Sequence, residues 1–450
     1  MEYKNPLGEE NITKLLLRFT VPATVGMLVN ALYNIVDRIY IGNSPDLGSL
    51  GLAGITIGFP IMLLQLAIGV LFGIGGATLF SIKLGERKEH EAEQILGNAF
   101  SLLFISGFAF MLIGQLFLKP ILVLFGASET VLPYSMEYMR VIFFGAVFQL
   151  ISMGMNNFIR ADGNPNIAML TMFLGAGTNI ILDPIFIYGF NMGMRGAALA
   201  TIFSQFLSFL WVTSYFLGKK SHHKLKLQFM RLKTDVALRI FTLGLPGFFL
   251  QLASSLLNIV LNRSLFFYGG DIAVSGMGII NSLQMLILMP VIGIRQGAQP
   301  IISFNFGAGK YPRVKEAVTK AIIAGTAVIL VAYLVIQIFP AGMLSLFNRE
   351  PALLAFGTGA LRSWFLLAFL IAFQIIASNY FQAIGKARVA TFLTLTRQVI
   401  FLIPAIFIFP LLWGLEGILY AAPFADLCAA LVTGFWFFRD LRKLKANALS

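Results

Sequence analysis

The chain has 450 residues, of which 58% are hydrophobic and 12% charged, and its mean hydropathy of +0.83 lies far above that of soluble proteins. These values exclude a soluble globular domain and indicate a protein that crosses a lipid bilayer many times. The net charge of +13 would suit a nucleic-acid partner, but the basic residues lie at alternate ends of the apolar runs and not on one aromatic-studded face, so no nucleic acid is expected.

Apolar runs of about 20 residues or more, the length that crosses ~30 Å of hydrocarbon, cover roughly 13–41, 50–82, 95–118, 134–159, 165–189, 196–217, 236–267, 273–304, 316–340, 354–381, 389–412 and 417–438. About twelve transmembrane helices are therefore expected, an all-α polytopic fold. Several runs exceed a simple crossing, so tilts, kinks or ends outside the bilayer are expected as well. The first run holds Pro22, Tyr33 and Asp37 and has no short apolar h-region or small-residue cleavage site, which argues against a cleaved signal peptide. The single cysteine, Cys428, excludes a disulfide within the chain and a cysteine-based metal cage, and no cofactor is expected.

The loops set the orientation. With the N-terminus in the cytoplasm, the inside loops carry clusters such as Lys83, Arg87 and Lys88, or Lys310, Arg313 and Lys315, whereas the outside loops hold only Lys119, Arg195 and Arg349. The positive-inside rule then places both termini in the cytoplasm of a bacterial inner or cell membrane, which an even number of spans requires.

The two halves of the chain repeat one another. RADGNPNIAM at 160–169 resembles QAIGKARVAT at 382–391, and KLGERK resembles NFGAGK; Gly163 and Gly385, and Gly85 and Gly307, are each 222 residues apart. FGAS at Phe125 matches FNRE at Phe347 with the same spacing, and Pro22 matches Pro246 at 224. This reads as an N-lobe over 1–218 with helices 1–6, a basic cytoplasmic linker over 219–235, and a C-lobe over 236–450 with helices 7–12 and a basic tail. Six helices per half puts the pseudo-two-fold axis along the membrane normal, with a cavity between two six-helix bundles.

Enzymatic readings find little support. GAGK at 307–310 lacks the spacing and hydroxyl of a phosphate loop, no HExxH is present, and no serine stands in a GxSxG elbow. A chain of two unlike halves also fits a channel poorly; a secondary transporter fits best. The stretches GIRQGAQPIISFNFGAG at 293–309, RADGNP at 160–165 and the N-terminal VPA with YNIVDRIYIG resemble the MATE (multidrug and toxic compound extrusion) family, in particular its MepA-type branch. The resemblance covers essentially the whole chain. It implies two bundles forming a V-shaped cavity, with external H⁺ or Na⁺ exchanged for cationic drugs, and no obligate protein partner.

Charges inside the spans are the next signal, since an Asp near the bilayer centre costs ~2.5–3.5 kcal/mol on insertion scales. Asp37 and Asp183 are the two clear cases in the first half. Asn30, Tyr33 and Asp37 share one helix face, as do Asn179 and Asp183 at i, i+4. By the resemblance the site is Asn30, Tyr33, Asp37, Asn156, Asn179, Asp183 and Thr201. Two carboxyls in one apolar pocket cannot both ionise cheaply, so one is expected to hold a proton near neutral pH. The oxygens of Asp37, Asn179, Asp183 and Thr201 would equally suit Na⁺. Pro184 is expected to loosen the helix beside Asp183, and Pro22 to let the first helix bend.

Met27, Met153, Met172 and Met285 are candidates for an adaptable drug-binding wall. Arg38 is expected to snorkel outward. In the second half Arg295, Arg362, Arg397 and Asp426 are read as a buried ion-pair network, with Asp426 as reserve proton site. The alternative function is a lipid-precursor flippase of the same superfamily, which would need several basic residues where the first half offers acids and amides; a membrane scaffold would need neither.

Overall fold

The computed structural model describes residues 5–42, 44, 47–347 and 350–447, with side chains except at 34, 38, 42, 48, 49 and 445–447. The readings made for Arg38 and Arg349 lie outside these. Among the described residues all regular structure is helical. The first half contains α1 (Ile12–Gly42), α2 (Gly48–Gly85), α3 (Glu89–Leu116), α4 (Leu132–Ala161), α5 (Pro165–Pro184) and α6 (Gly193–Leu217). Each coincides with one apolar run.

The second half starts with a helical stretch of 74 residues, Thr234–Gly307. Straight, it would measure about 110 Å, several times the ~30 Å of a bilayer core. Gly270, at φ 63° and ψ −160°, breaks it into α7 (234–269) and α8 (271–307). Then come α9 (Tyr311–Ile338), α10 (Pro351–Trp364 and Phe369–Ala383, bent by 48°), α11 (Ala387–Ile408) and α12 (Pro410–Leu444). Counted this way, the described residues hold twelve apolar helices long enough to cross a membrane. The bend in α10 had no proline to announce it. At the bend Leu366 and Ala368 close tight turns on Ser363 and Phe365, and the Arg362 carbonyl just before it accepts from the Gln337 side chain at 3.2 Å.

The internal repeat extends to backbone and side-chain detail. Gln115 donates to the Arg140 carbonyl at 2.6 Å as Gln337 does to Arg362, and each residue of the second pair lies 222 positions after its counterpart. Left-handed backbone recurs too: Arg87 (φ 60°) with Gly309 (φ 68°), and Gly163 (φ 94°) with Gly385 (φ 83°). Glycine adopts that conformation without strain, whereas Arg87 does so against its Cβ.

Contacts divide the chain into two compact units, one of Val25–Gln251, the other of residues up to Thr24 together with Leu252–Ser450. Each unit thus includes the opening stretch of a helix whose remainder belongs to the other. Within the first unit, α7 crosses α2 almost backbone on backbone: a Cβ on Gly244 would stand 1.7 Å from the Leu71 carbonyl oxygen, and one on Gly75 would stand 2.2 Å from that of Ile240. Within the second unit, α8 meets α1 in the same manner, a Cβ on Gly297 falling 2.7 Å from the Thr20 amide and one on Gly293 falling 2.2 Å from Thr24 Oγ1. Helices in lipid gain little from hydrophobic contact with one another, so such glycine crossings, which bring backbones into van der Waals range, supply much of their association.

The linker between the halves is a docked strap. Asn98 of α3 donates to the Phe229 carbonyl (3.0 Å) and accepts from the Lys233 amide (2.8 Å), Ser101 donates to Met230 (2.7 Å), and Lys226 pairs with Glu93 (2.6 Å).

A direct check on the crossing is Gly244→Ala, which forces a methyl group onto a carbonyl and is expected to lower stability by about 1–3 kcal/mol. Gly342→Ala, at a position with nothing within 4 Å, should be neutral. Thermal unfolding in detergent of the two variants would show whether the contact is as tight as the geometry states.

Candidate ion-coupling site

The site is assembled from four helices of the Val25–Gln251 unit. On α5, Asn179 and Asp183 fall one turn apart on the same face. Pro184 then supplies no amide to the carbonyl of Ile180, and the chain leaves the α-helix for a π turn over Ile185–Gly189, closed by Phe190 N–H to the Ile185 carbonyl at 2.9 Å. Wide turns of this kind cluster at functional sites, because they free backbone groups inside an otherwise saturated helix.

Asn179 Nδ2 faces two acceptors, Asp183 Oδ1 at 3.4 Å and Thr201 Oγ1 of α6 at 3.3 Å, while Thr201 donates to the Ala197 carbonyl at 3.1 Å. Asp183 is fully buried. Asp37 of α1 lies within electrostatic reach of Asp183. Tyr33, one turn before Asp37, is within electrostatic reach of both carboxyls. Two carboxyls this close in a buried place repel one another when both are ionised; Asp183 Oδ2 is buried without a hydrogen-bond partner among the described residues. Asn179 Oδ1, buried and without a hydrogen-bond partner among the described residues, adds a neutral oxygen to the same place.

One member was not anticipated. Tyr138 of α4, only 2% exposed, lies near Thr201 and within electrostatic reach of Asp37 and Asp183. No span charge or amide pair marks it in the sequence, where it is one of 12 tyrosines. Tyr138 also belongs to an apolar cluster with Ile41, Ile61, Ile142, Ile187 and Met194.

Of the other expected site residues, Asn30 lies on the exposed side of α1. Asn156 is not at the acids: it is buried and donates to the Ala168 carbonyl at 2.7 Å, about three turns of α5 away from Asn179. Met172 packs on Gly26 and Met153 on Gly69, so both fill space between helices of the unit that also holds Met27; Met285 is 51% exposed and belongs to the other unit. Pro22 lies inside α1, two residues before the boundary between the units. Among the described residues no three His, Cys, Asp or Glu side chains gather as a metal cage. A cation at the acids would be held by two carboxyls and neutral oxygens.

Comparison with known proteins gives this geometry a context. The family model MatE matches residues 22–185 and again 246–408. The chain belongs to the MatE family. It is 29% identical to the multidrug export protein MepA of Staphylococcus aureus (strain MRSA252) over 423 residues, 93% of this chain and 92% of that one. The fold superposes with a TM-score of 0.92 on a multidrug resistance MATE family transporter of the MOP superfamily in an outward-facing conformation, at 25% identity over 99% of this chain and 100% of the other. A TM-score of 0.92, at 26% identity over 98% and 100%, also relates it to a MOP superfamily transporter from Pyrococcus furiosus Vc1 (DSM3638), whose reverse polarity of the binding pocket is described as suggesting a different function. These relatives are transporters and not enzymes, and this MatE chain is a multi-pass membrane protein.

The second half of the MatE chain corrects one expectation. The foreseen network reduces to one buried pair, Arg397 Nε to Asp426 Oδ1 at 2.6 Å, held where α11 widens into a π turn over Thr396–Leu402. Arg362 is exposed at the end of its helical segment, and Arg295 makes no ion pair among the described residues. An exposed guanidinium gains little from a distant acid, so only the pair enclosed by helices persists.

Removing one member of that pair leaves a buried charge alone, which costs about 3–5 kcal/mol in comparable cases. Asp426→Asn is therefore expected to lower thermal stability and yield, and the double variant Arg397→Gln with Asp426→Asn to recover part of the loss. Full stability of Asp426→Asn combined with lost transport would move Asp426 from a structural to a coupling role.

Proposed function

We propose that this protein is a secondary active multidrug exporter, moving cationic or amphipathic drugs outward by alternating access in exchange for H⁺ or Na⁺. The observation that carries the reading is the meeting of Asp37 and Asp183 with Asn179 and Thr201 in a buried pocket of a MatE chain. One site of two acids holds either an inward-moving ion or the charge of a competing cation, which is the exclusivity that antiport needs. The similarity to a multidrug export protein supports the drug as the other substrate. Each inward ion supplies ~2.3 kcal/mol per 100 mV, enough for roughly a fifty-fold gradient of a neutral drug without ATP.

In this reading the helices up to residue 218 carry ion coupling, the helices from 236 onward form the second lobe, and both termini are cytoplasmic, as the lysine and arginine distribution favours. Pro22 is the hinge that lets α1 redock on α5 when the acids change state. Tyr33 and Asn30, on the face of α1 that carries Asp37, form the approach, and Met27, Met153 and Met172 adapt the wall to different drugs. The second reading is a flippase for an anionic lipid precursor, favoured by Arg295, a cation inside a span without an acidic partner among the described residues. A single such residue serves an anion less well than the two acids serve a cation.

Asp183→Asn and Asp37→Asn are expected to abolish drug efflux while leaving insertion and folding intact, since shape is kept and the titratable charge is lost. The assay is drug counterflow against an imposed pH or sodium gradient in vesicles, and normal counterflow by Asp183→Asn would sink the model. Run with and without sodium, the wild-type arm names the ion. Pro22→Ala should keep drug binding but weaken its dependence on pH or sodium; identical ion dependence in titrations of both proteins would remove the hinge and leave the carboxyl assignment standing.

A further inference from the structure

The linker between the two halves is docked by one face. Ser221 Oγ donates to Asp162 in the α4–α5 turn at 2.9 Å, His223 Nδ1 lies 2.6 Å from the same carboxyl, and Asn98 and Ser101 of α3 take the carbonyls of Phe229 and Met230. Ser221, His223, Leu225 and Phe229 are all buried. The other face is open: Lys220, Lys226, Leu227, Arg231, Leu232 and Lys233 are exposed, Leu227 by 83% and Leu232 by 41%. Residues 217–239 hold seven lysines and arginines and one acid, Asp235. Docking uses few of those charges. Lys226 pairs with Glu93 and Lys224 donates to the Gly218 carbonyl, whereas Arg231, Lys233 and Arg239 are turned outward to solvent.

Two observations set the depth at which this outer face lies. The contacts on α3 fall at Glu93, Asn98 and Ser101, where the apolar run of that helix begins, and the apolar run of α7 starts at 236, directly after the linker. Lys220 Nζ stands 6.0 Å over the ring of Trp211, a residue type that gathers at headgroup level. The strap therefore runs along the boundary between hydrocarbon and water, where an exposed leucine meets acyl chains and a lysine or arginine stem reaches up to phosphate. The internal repeat supplies a comparison. The segment before α1 is docked in a similar way within its own unit: Leu7, the counterpart of Phe229 at 222 positions, is fully buried, and its carbonyl accepts from Asn305 at 2.9 Å. In the places of Arg231, Leu232 and Lys233 it carries Glu9, Glu10 and Asn11. Docking of such a segment thus needs no basic face. The positive-inside rule asks only for bases in the loop and has no use for leucines exposed between them.

We propose that the outer face of the linker is a docking surface for anionic phospholipid, with Leu227 and Leu232 entering the acyl boundary while Arg231, Lys233 and Arg239 hold headgroup phosphates. The inference rests on the cytoplasmic placement of the linker in the reading above, and on neither its ion nor its drug. The cytoplasmic leaflet carries a negative surface potential, and a basic segment held at that surface gains from every lysine or arginine within a Debye length. Guanidinium groups grip phosphate through paired N–H donors, which suits Arg231 and Arg239 to headgroups. The linker leads straight into α7, whose opening stretch crosses α2 at Gly244, so lipid charge on the strap fastens the entry to that crossing.

The test uses the full-length protein in nanodiscs of phosphatidylcholine, with and without phosphatidylglycerol, read by amide hydrogen exchange. Residues 224–233 are expected to exchange about ten-fold or more slowly when phosphatidylglycerol is present and to lose that protection in high salt. The segment 5–11 should show no such difference. The triple variant Arg231→Gln, Lys233→Gln and Arg239→Gln is expected to keep wild-type thermal stability in detergent, since these side chains are exposed, and to exchange alike in both lipids. Leu227→Gln should lose protection in both lipids, and unchanged exchange there would remove the leucine anchor. Equal exchange of the wild-type linker in the two lipids, or a phosphatidylglycerol effect undiminished in the triple variant, would overturn the proposal. Equal protection by inorganic phosphate in phosphatidylcholine discs would overturn it too, by making the face a site for soluble anions. A disc has no inside, so these results stand apart from orientation; labelling of Lys219→Cys, in a Cys428→Ser background, from outside intact cells would overturn the cytoplasmic placement instead.

Discussion

Backbone meeting backbone at Gly75 and Gly244 is the contact on which the first unit depends. Lipid surrounds these helices with a medium as apolar as their own side chains, so burying leucine in the bundle gains little over leaving it in the bilayer. What remains is close packing and the hydrogen bonds it encloses. The crossing anchors the start of α7 on α2, and α2 in turn packs along α4 through Gly58, Gly69 and Gly73, which receive Met139, Met153 and the backbone of Gly154. Tyr138, beside Met139 on α4, is thereby held against Thr201 and the acids.

Inside that frame the acids are expensive, and the structure offsets the cost locally. Asn179 divides its amide between Asp183 and Thr201, Tyr138 stands nearby, and Pro184 has no amide to offer the Ile180 carbonyl before the π turn. Arg397 and Asp426 solve the same problem in the other unit by pairing with each other. An enclosed ion pair is a poor candidate for reversible loading, because freeing either partner strands the other. The buried groups therefore divide by chemistry: an acid that pairs with an arginine in one unit, and two acids set among amides and hydroxyls in the other.

Much of this was legible in the sequence because the membrane leaves few alternatives. Twelve apolar runs gave twelve helices, since lipid demands that each crossing satisfy its own backbone. Asp37, Asn179 and Asp183 were visible as costly residues at helical spacing. Tyr138 was not, because a tyrosine in a span is unremarkable until its neighbours are known. Asn156 was read by resemblance as a cavity residue, and the sequence did not show that its amide reaches the Ala168 carbonyl. The bend in α10 has no proline to mark it, and the single pair left from the expected arginine network depends on which guanidinium the helices enclose with the acid; linear spacing decides neither. Nor did basic composition show that residues 221–233 dock along α3 and the loop at Asp162.

The allocation of the opening segments bears on how such a chain arose. Residues up to Thr24 belong with Leu252–Ser450, while 234–251 belong with the first half, so each repeat is completed by a piece of the other. In assembly terms this is segment swapping, fixed within a single polypeptide by the linker. A lone ancestral half would have left its glycine face without the helix that covers it, and two copies exchanging their first turns would have covered both. Duplication followed by fusion would make such an obligate pair covalent and leave the halves free to diverge, one holding two buried acids near each other, the other closing its acid onto an arginine.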